Sequence, residues 1–193
     1  GLFAVELNDQ KLTAYRQLSN AEVPTFDFHG KETMLAFTIK ERACHSWFNG
    51  YTYLDTLNEE AVAEFIRVTH ETYRKQIGET FGKRVPGIFT DEPQHQNRLT
   101  VTDSHSLPVD PSQPWTPSLP RVFQQRYGYD ILPFLPELFF NPPQGGLSKP
   151  RYHFHDCVNH LFVTAFAKQI GEWCQANNMQ HTGHLMAEGA LVQ

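Results

Sequence analysis

The amino-acid sequence predicts an α/β fold built on parallel strands, preceded by a small antiparallel β module, and three observations predict it. From residue 58 onward the patterns run helix, strand, helices, strand, the order produced when crossover helices join parallel strands. Two segments, VPGIFTDEP at 85–93 and MQHTGHLMAE at 179–188, each run into a carboxylate. Strands of α/β barrels deliver acids to the mouth of the barrel in this way. Residues 1–45 instead alternate with period two, which marks a β-rich module or insertion, and leaves 46–193 as part of a barrel domain.

Within the first module, Phe3, Val5 and Leu7 alternate with polar or small neighbours, and Leu35, Phe37 and Ile39 do so again. Asn8, Asp9 and the DFHG run at 27–30 supply turn chemistry between them. An aromatic loop, HSWFNGYTYLD, fills 45–55. Asn58 then stands as a helix N-cap, with Glu59 and Glu60 in the first turn, where the helix dipole favours acids. Val62, Phe65, Ile66, Thr69, Tyr73 and Ile77 trace one face of a helix of about five turns. Gly78 and Gly82 end it, and residues 85–89 form the strand that stops at Asp91 and Glu92.

Residues 94–120 are polar and proline-rich around Trp115, and loops of that length usually serve function. A short helix is predicted near 118–127, then an apolar turn or helix over 131–140, punctuated by NPPQGG. The longest helical pattern runs from about 152 to 177, with Val158, Leu161, Phe162, Ala165, Phe166, Ile170 and Trp173 on one face. It leads into the second strand.

Composition narrows the function. With 193 residues, 40% of them apolar, the chain has material for a packed core. Sixteen basic against 21 acidic residues, with no basic stripe interleaved by aromatics, argue against a nucleic-acid partner. No apolar run approaches the ~20 residues of a membrane span, and the compartment is not encoded in these residues. Cys44, Cys157 and Cys174 lack CxxC spacing, so core thiols are expected rather than disulfides or a zinc knuckle. A complete (β/α)8 barrel takes about 250 residues, so this chain is expected to be a piece of one.

The strand ends point to acid/base chemistry on a sugar bond. Glu92 precedes Pro93, and a residue before proline is pushed towards an extended conformation, so the strand is expected to continue through the glutamate. Half-buried among Phe89, Trp47 and other aromatics, Glu92 would serve as a general acid, with Asp91 orienting neighbours or binding a hydroxyl. Glu188 is the second catalytic candidate. His184, Trp47, Asn49 and Asp55 are candidate substrate-binding residues, since flat rings stack on sugars and short polar side chains bond hydroxyls.

Each candidate has a structural alternative. The DEP run would be an exposed turn, Glu188 a helix opener, and His184 a rim or core histidine. The aromatics would form a core lid, and Asp55 would cap a turn. The close histidine pairs, His153 with His155 before a helix and His181 with His184 on opposite faces of a strand, do not form an HExxH site. No cofactor is required by the sequence. A glycine-rich phosphate cradle and a GxSxG elbow are both missing, which removes nucleotide-binding and serine-hydrolase readings.

The segments YLDTLNEEAV at 53–62, THETY at 69–73, FGK at 81–83, PGIFTDEP at 86–93 and GHLMAE at 183–188 together resemble large bacterial glycoside hydrolases of the α-L-rhamnosidase type, family 106 and its relatives. The resemblance implies a (β/α)8 TIM-barrel catalytic domain accompanied by β-sandwich modules, acting on terminal sugar linkages of an oligosaccharide or glycoside. It implies inversion, with Glu92 matching the acid. Glu188 is then the base, unless the base lies on a later strand and Glu188 is a substrate or calcium ligand. Calcium near the sugar is implied by the resemblance alone. Because strands that close the barrel are missing, the isolated piece is expected to be inactive. Two rivals remain: a non-catalytic carbohydrate-binding or structural member of the same fold, and a metal-dependent hydrolase using the histidines and Asp91.

Overall fold

The computed structural model describes residues 1–8, 11–95 and 111–185. It is mixed α/β, with a three-stranded and a two-stranded sheet. The chain divides into two compact units, one of residues 1–41 with 97–157 and the other of residues 42–96 with 158–193.

In the first unit, β1 (Leu2–Asn8), β2 (Lys11–Gln17) and β3 (Thr33–Ala36) form an antiparallel sheet in the order β2-β1-β3. The central strand buries Phe3, Ala4 and Val5 in succession, so both its faces are covered there. Alternation predicted Leu7 inside as well, yet it is exposed. The register shifts between Glu6 and Leu7, and such an irregularity turns the following side chain off its face. β3 ends at Ala36, so Ile39 lies beyond it and is exposed. Phe37, one residue past the strand, meets Phe3 edge-on at 5.4 Å and Phe139 at 5.5 Å.

α1 (Leu119–Tyr127) opens with Pro120 and is closed by Gly128, whose φ of 79° is the left-handed conformation of a helix C-cap. The predicted apolar element at 131–140 is a 3₁₀ turn over Leu132–Leu138. α2 (Lys149–Phe162) starts three residues before the apolar pattern does, because Ser148 Oγ accepts the Arg151 N–H at 3.1 Å and caps it. His153 and His155 therefore lie inside a helix rather than before one. The His153 ring stacks on Tyr127 at 4.1 Å, and its Nδ1 is 3.0 Å from the Tyr129 hydroxyl.

Glu137 is a buried acid, and its carboxylate accepts the Tyr15 hydroxyl and the Ser148 hydroxyl, both at 2.6 Å. Arg151 donates to the backbone carbonyls of Glu137 and Phe140. Burial, then Glu137 itself, pushes the Tyr15 hydroxyl pKa up. A buried carboxylate is tolerable only when its lone pairs are used in this way.

In the second unit, α3 (Glu59–Phe65) begins at Asn58, whose Oδ1 accepts the N–H groups of Glu60 at 3.0 Å and Ala61 at 3.3 Å. Asn58→Ala should destabilise this unit by about 1 kcal/mol in chemical unfolding. A widened π turn over Ile66–His70 then leads into α4 (Glu71–Ile77). The π turn places an extra residue in the coil and rotates the apolar stripe. His70 consequently occupies the buried position, while Tyr73 and Ile77, predicted on the core face, are exposed. Residues 158–162 end the long helix α2 begun above. A second π turn, Val163–Lys168, precedes α5 (Gln169–Ala176).

Val62, Phe81, Ala165, Phe166, Ile170, Cys174 and Met179 form the core of this unit, with Ile88 and Trp173 packed against it. Cys157 and Cys174 are buried thiols as expected, whereas Cys44 is exposed.

His70 is 3% exposed and neither ring nitrogen has a hydrogen-bond partner; the ring packs edge-on against Phe65 and Trp173. Burial, with a smaller contribution from His181, holds its pKa below the ordinary 6.5. His181 is lowered by burial too. Both groups take up protons more readily unfolded than folded. The contribution of these two histidines to stability is therefore full above about pH 6.5 and falls as the pH drops below it. Unfolding followed at neutral and mildly acidic pH should show this loss, and His70→Phe should reduce its size.

β4 (Gly87–Asp91) and β5 (Gln180–His184) pair in parallel, from Gly87 opposite Gln180 to Asp91 opposite His184. A β-carbon on Gly183 would stand 2.0 Å from the Thr90 carbonyl oxygen, and one on Gly87 2.4 Å from that of Gln180. The sequence suggests that Gly183 lets a ligand approach. In the structure it is the neighbouring strand that needs the space.

Candidate active site

Alternation along the β4–β5 pair sorts its side chains into two sets. Ile88, Thr90 and His181 lie on the face that meets the helices: Ile88 packs on the core, and Thr90 Oγ1 is 3.2 Å from His181 Nε2. Phe89, Asp91, Thr182 and His184 lie on the opposite face, which is open among the described residues. Phe89 meets the His184 ring edge-on at 5.1 Å. His184 Nδ1 stands 3.7 Å from Asp91 Oδ1, too far for a hydrogen bond, and both side chains are well exposed, so the pair adds little stability.

Glu92 departs from expectation. The strand stops at Asp91, and Glu92 has φ 45°, the left-handed region that non-glycine residues enter at a cost of about 1–3 kcal/mol. Tertiary hydrogen bonds override the extended preference of a pre-proline residue here. The Glu92 N–H donates to the His184 carbonyl at 3.1 Å, continuing the ladder by one bond. Two residues on, the Gln94 N–H donates to the Tyr53 hydroxyl at 3.0 Å, and the Thr56 hydroxyl donates to the Gln94 carbonyl at 2.7 Å. Asp91 and Glu92 are both exposed, as are Phe89 and Trp47, so these residues do not supply the half-burial expected around the acid.

Asp91, Glu92 and His184 are thus brought together at one end of the strand pair. Asp55 stands in the segment bonded to Gln94 and is half-buried; its Oδ1 accepts the Leu57 N–H at 3.1 Å, the turn-capping role. Trp47 and Asn49 occupy a turn of their own, where His45 Nδ1 accepts the Trp47 N–H at 3.1 Å and Asn49 has φ 54°. Both are exposed. Glu188 and most of the proline-rich loop lie outside the described residues.

Tyr53 appears in the sequence only as one loop aromatic among several, and Thr56 gives no signal there. A buried hydroxyl must find a partner, but its partner is a backbone carbonyl almost forty positions away. Among the described residues no group of three or more His, Cys, Asp or Glu is placed to hold a metal ion. Glu188, the residue that the resemblance offers as a calcium ligand, lies outside those residues.

Two carboxylates and an imidazole at the ends of adjacent parallel strands make a set able to give or take a proton at that end of the strand pair. A family model described as alpha-L-rhamnosidase, of glycoside hydrolase family 106, matches residues 42–189, well over half of the chain. The chain belongs to the α-L-rhamnosidase family. The match covers β4, β5 and every candidate residue, Glu188 included. Among solved structures, a rhamnosidase from Novosphingobium sp. PP1Y is similar at 20% identity and a TM-score of 0.49, over 70% of this chain and 12% of that one. This chain therefore spans a small part of that relative's length. No curated protein matches it. No described helix is long and apolar enough to cross a membrane.

Proposed function

We propose that the chain is part of the catalytic domain of a glycoside hydrolase that cleaves terminal α-L-rhamnoside linkages, with Glu92 as the general acid. In this reading residues 46–193 belong to a (β/α)8 barrel, 1–45 form an accessory β module, and β4 and β5 are neighbouring barrel strands. What supports it most is the parallel pair itself. One face packs on helices, while the other bears Phe89, Asp91 and His184 and ends at Glu92. A barrel wall would present two such faces, with acids at its C-terminal rim.

Glu92 would protonate the leaving oxygen as the glycosidic bond breaks, and a second carboxylate would remove a proton from the attacking water. Glu188, or an acid further along the complete protein, fills that second role. Asp91 and His184 would bind hydroxyls of the sugar, Trp47 would stack on it, and Asn49 and Asp55 would add polar contacts. The rest of the barrel would supply the enclosure around Glu92 that its exposed position here lacks.

The complete protein should hydrolyse aryl α-L-rhamnosides. Proton NMR of the first-formed sugar should show the inverted anomer, with the acid and base about 6.5–9.5 Å apart. Retention of configuration would instead call for carboxylates about 5–5.5 Å apart and a covalent intermediate. A protein that binds rhamnosides without turning them over would be a carbohydrate-binding member of the family.

A further inference from the structure

We infer that Tyr53 and Thr56 are positioning residues for Glu92, clamping the backbone two residues beyond it and so fixing where its carboxyl group stands. The inference rests on the reading of Glu92 as the general acid. Its basis is the conflict between local preference and observed backbone. A glutamate before proline prefers an extended conformation, yet Glu92 has φ 45°. A conformation of that kind persists only where the surroundings hold the chain on both sides.

Both sides are held. Ahead of the turn, the Glu92 N–H is bonded to the His184 carbonyl at 3.1 Å. Behind it, both backbone polar groups of Gln94 are engaged, the N–H by Tyr53 Oη at 3.0 Å and the carbonyl by Thr56 Oγ1 at 2.7 Å. Pro93, between the anchors, has a fixed φ and no N–H to offer an alternative bond.

The clamp is itself rigid. Thr56 is 2% exposed, so water has little access to replace its hydroxyl. The Tyr53 ring packs on Phe48 at 5.2 Å, with the Arg42 guanidinium 5.4 Å from its centre. His95, next to Gln94, packs on Phe162 at 5.5 Å. Loss of either hydroxyl lets the 92–94 segment relax towards the extended form and swings the Glu92 carboxyl away from its place. Neither residue touches the reacting atoms.

The test uses the complete protein carrying Tyr53→Phe, Thr56→Val, Thr56→Ser or Glu92→Gln, and two aryl α-L-rhamnosides. One releases an acidic nitrophenol and the other a weakly acidic phenol that needs protonation to leave. Tyr53→Phe and Thr56→Val should lower kcat about 10- to 100-fold on the poor leaving group and less than about 3-fold on the good one, with KM changed less than twofold. Thr56→Ser, which keeps the hydroxyl, should restore most of the rate.

Parental kcat on both substrates, or equal losses on both as general destabilisation would give, would overturn the inference. Should Thr56→Val fail to fold, Tyr53→Phe decides alone, since its ring stays packed. If Glu92→Gln loses turnover while the clamp variants do not, only the clamp is refuted. If Glu92→Gln keeps its rate on the poor leaving group, the acid assignment fails and the clamp with it.

Discussion

Glu92→Gln in the complete protein is expected to lower kcat by about 10²- to 10⁴-fold on a rhamnoside with a poor leaving group, the usual contribution of a positioned general acid. The amide keeps the size of the side chain and its place after β4 but has no proton to give at the right acidity. Sugar affinity should change little, because Asp91, His184 and the aromatic residues are untouched. Rescue of turnover by an activated leaving group would separate a lost acid from a damaged fold. The non-catalytic rival predicts no turnover in the parent to lose. The metal-dependent rival predicts a stoichiometric transition metal by elemental analysis and a rate that survives the substitution.

Gly183→Ala is the second large effect, and it acts on structure. The added methyl group would lie 2.0 Å from the Thr90 carbonyl oxygen, far inside van der Waals contact, and that oxygen is main chain in the paired strand. A flexible side chain would swing away; a strand bonded from Gly87 to Asp91 has no such freedom. The two strands must separate or shift register. We expect a loss of about 3–5 kcal/mol, in the range reserved for core and backbone disruptions, seen as early unfolding and rapid proteolysis of this unit. Because the displaced backbone lies beside Asp91 and Glu92, activity should fall with stability. An alanine tolerated at full stability would mean that the strands are not paired as described.

Much of the scaffold was legible in the sequence because local chemistry determines it. Asn58 with Glu59 and Glu60 announces a helix start, and the structure caps α3 with that asparagine. The apolar run into Asp91 announces a strand, and β4 ends there. The errors fall where distant partners decide. Pre-proline preference predicts an extended Glu92, but bonds to His184, Tyr53 and Thr56 hold the chain otherwise. A regular 3.6-residue period puts Tyr73 and Ile77 inside, but a π turn rotates the stripe and brings His70 in. Gly183 reads as a ligand contact, although what approaches it is the Thr90 backbone. At the site, Asp91, Glu92 and His184 could be placed together because Asp91 and His184 each end a strand and Glu92 directly follows one. Trp47, Asn49 and Asp55 sit in turns whose local bonds say nothing about a substrate.

A crystal structure of the complete protein with a bound rhamnoside or an unreactive analogue tests the central claim most directly. The Glu92 carboxyl group should lie about 2.6–3.2 Å from the glycosidic oxygen, with Asp91 and His184 on the same side of the sheet facing the sugar. A sugar bound elsewhere, with Glu92 directed into bulk water and remote from the scissile bond, would contradict it.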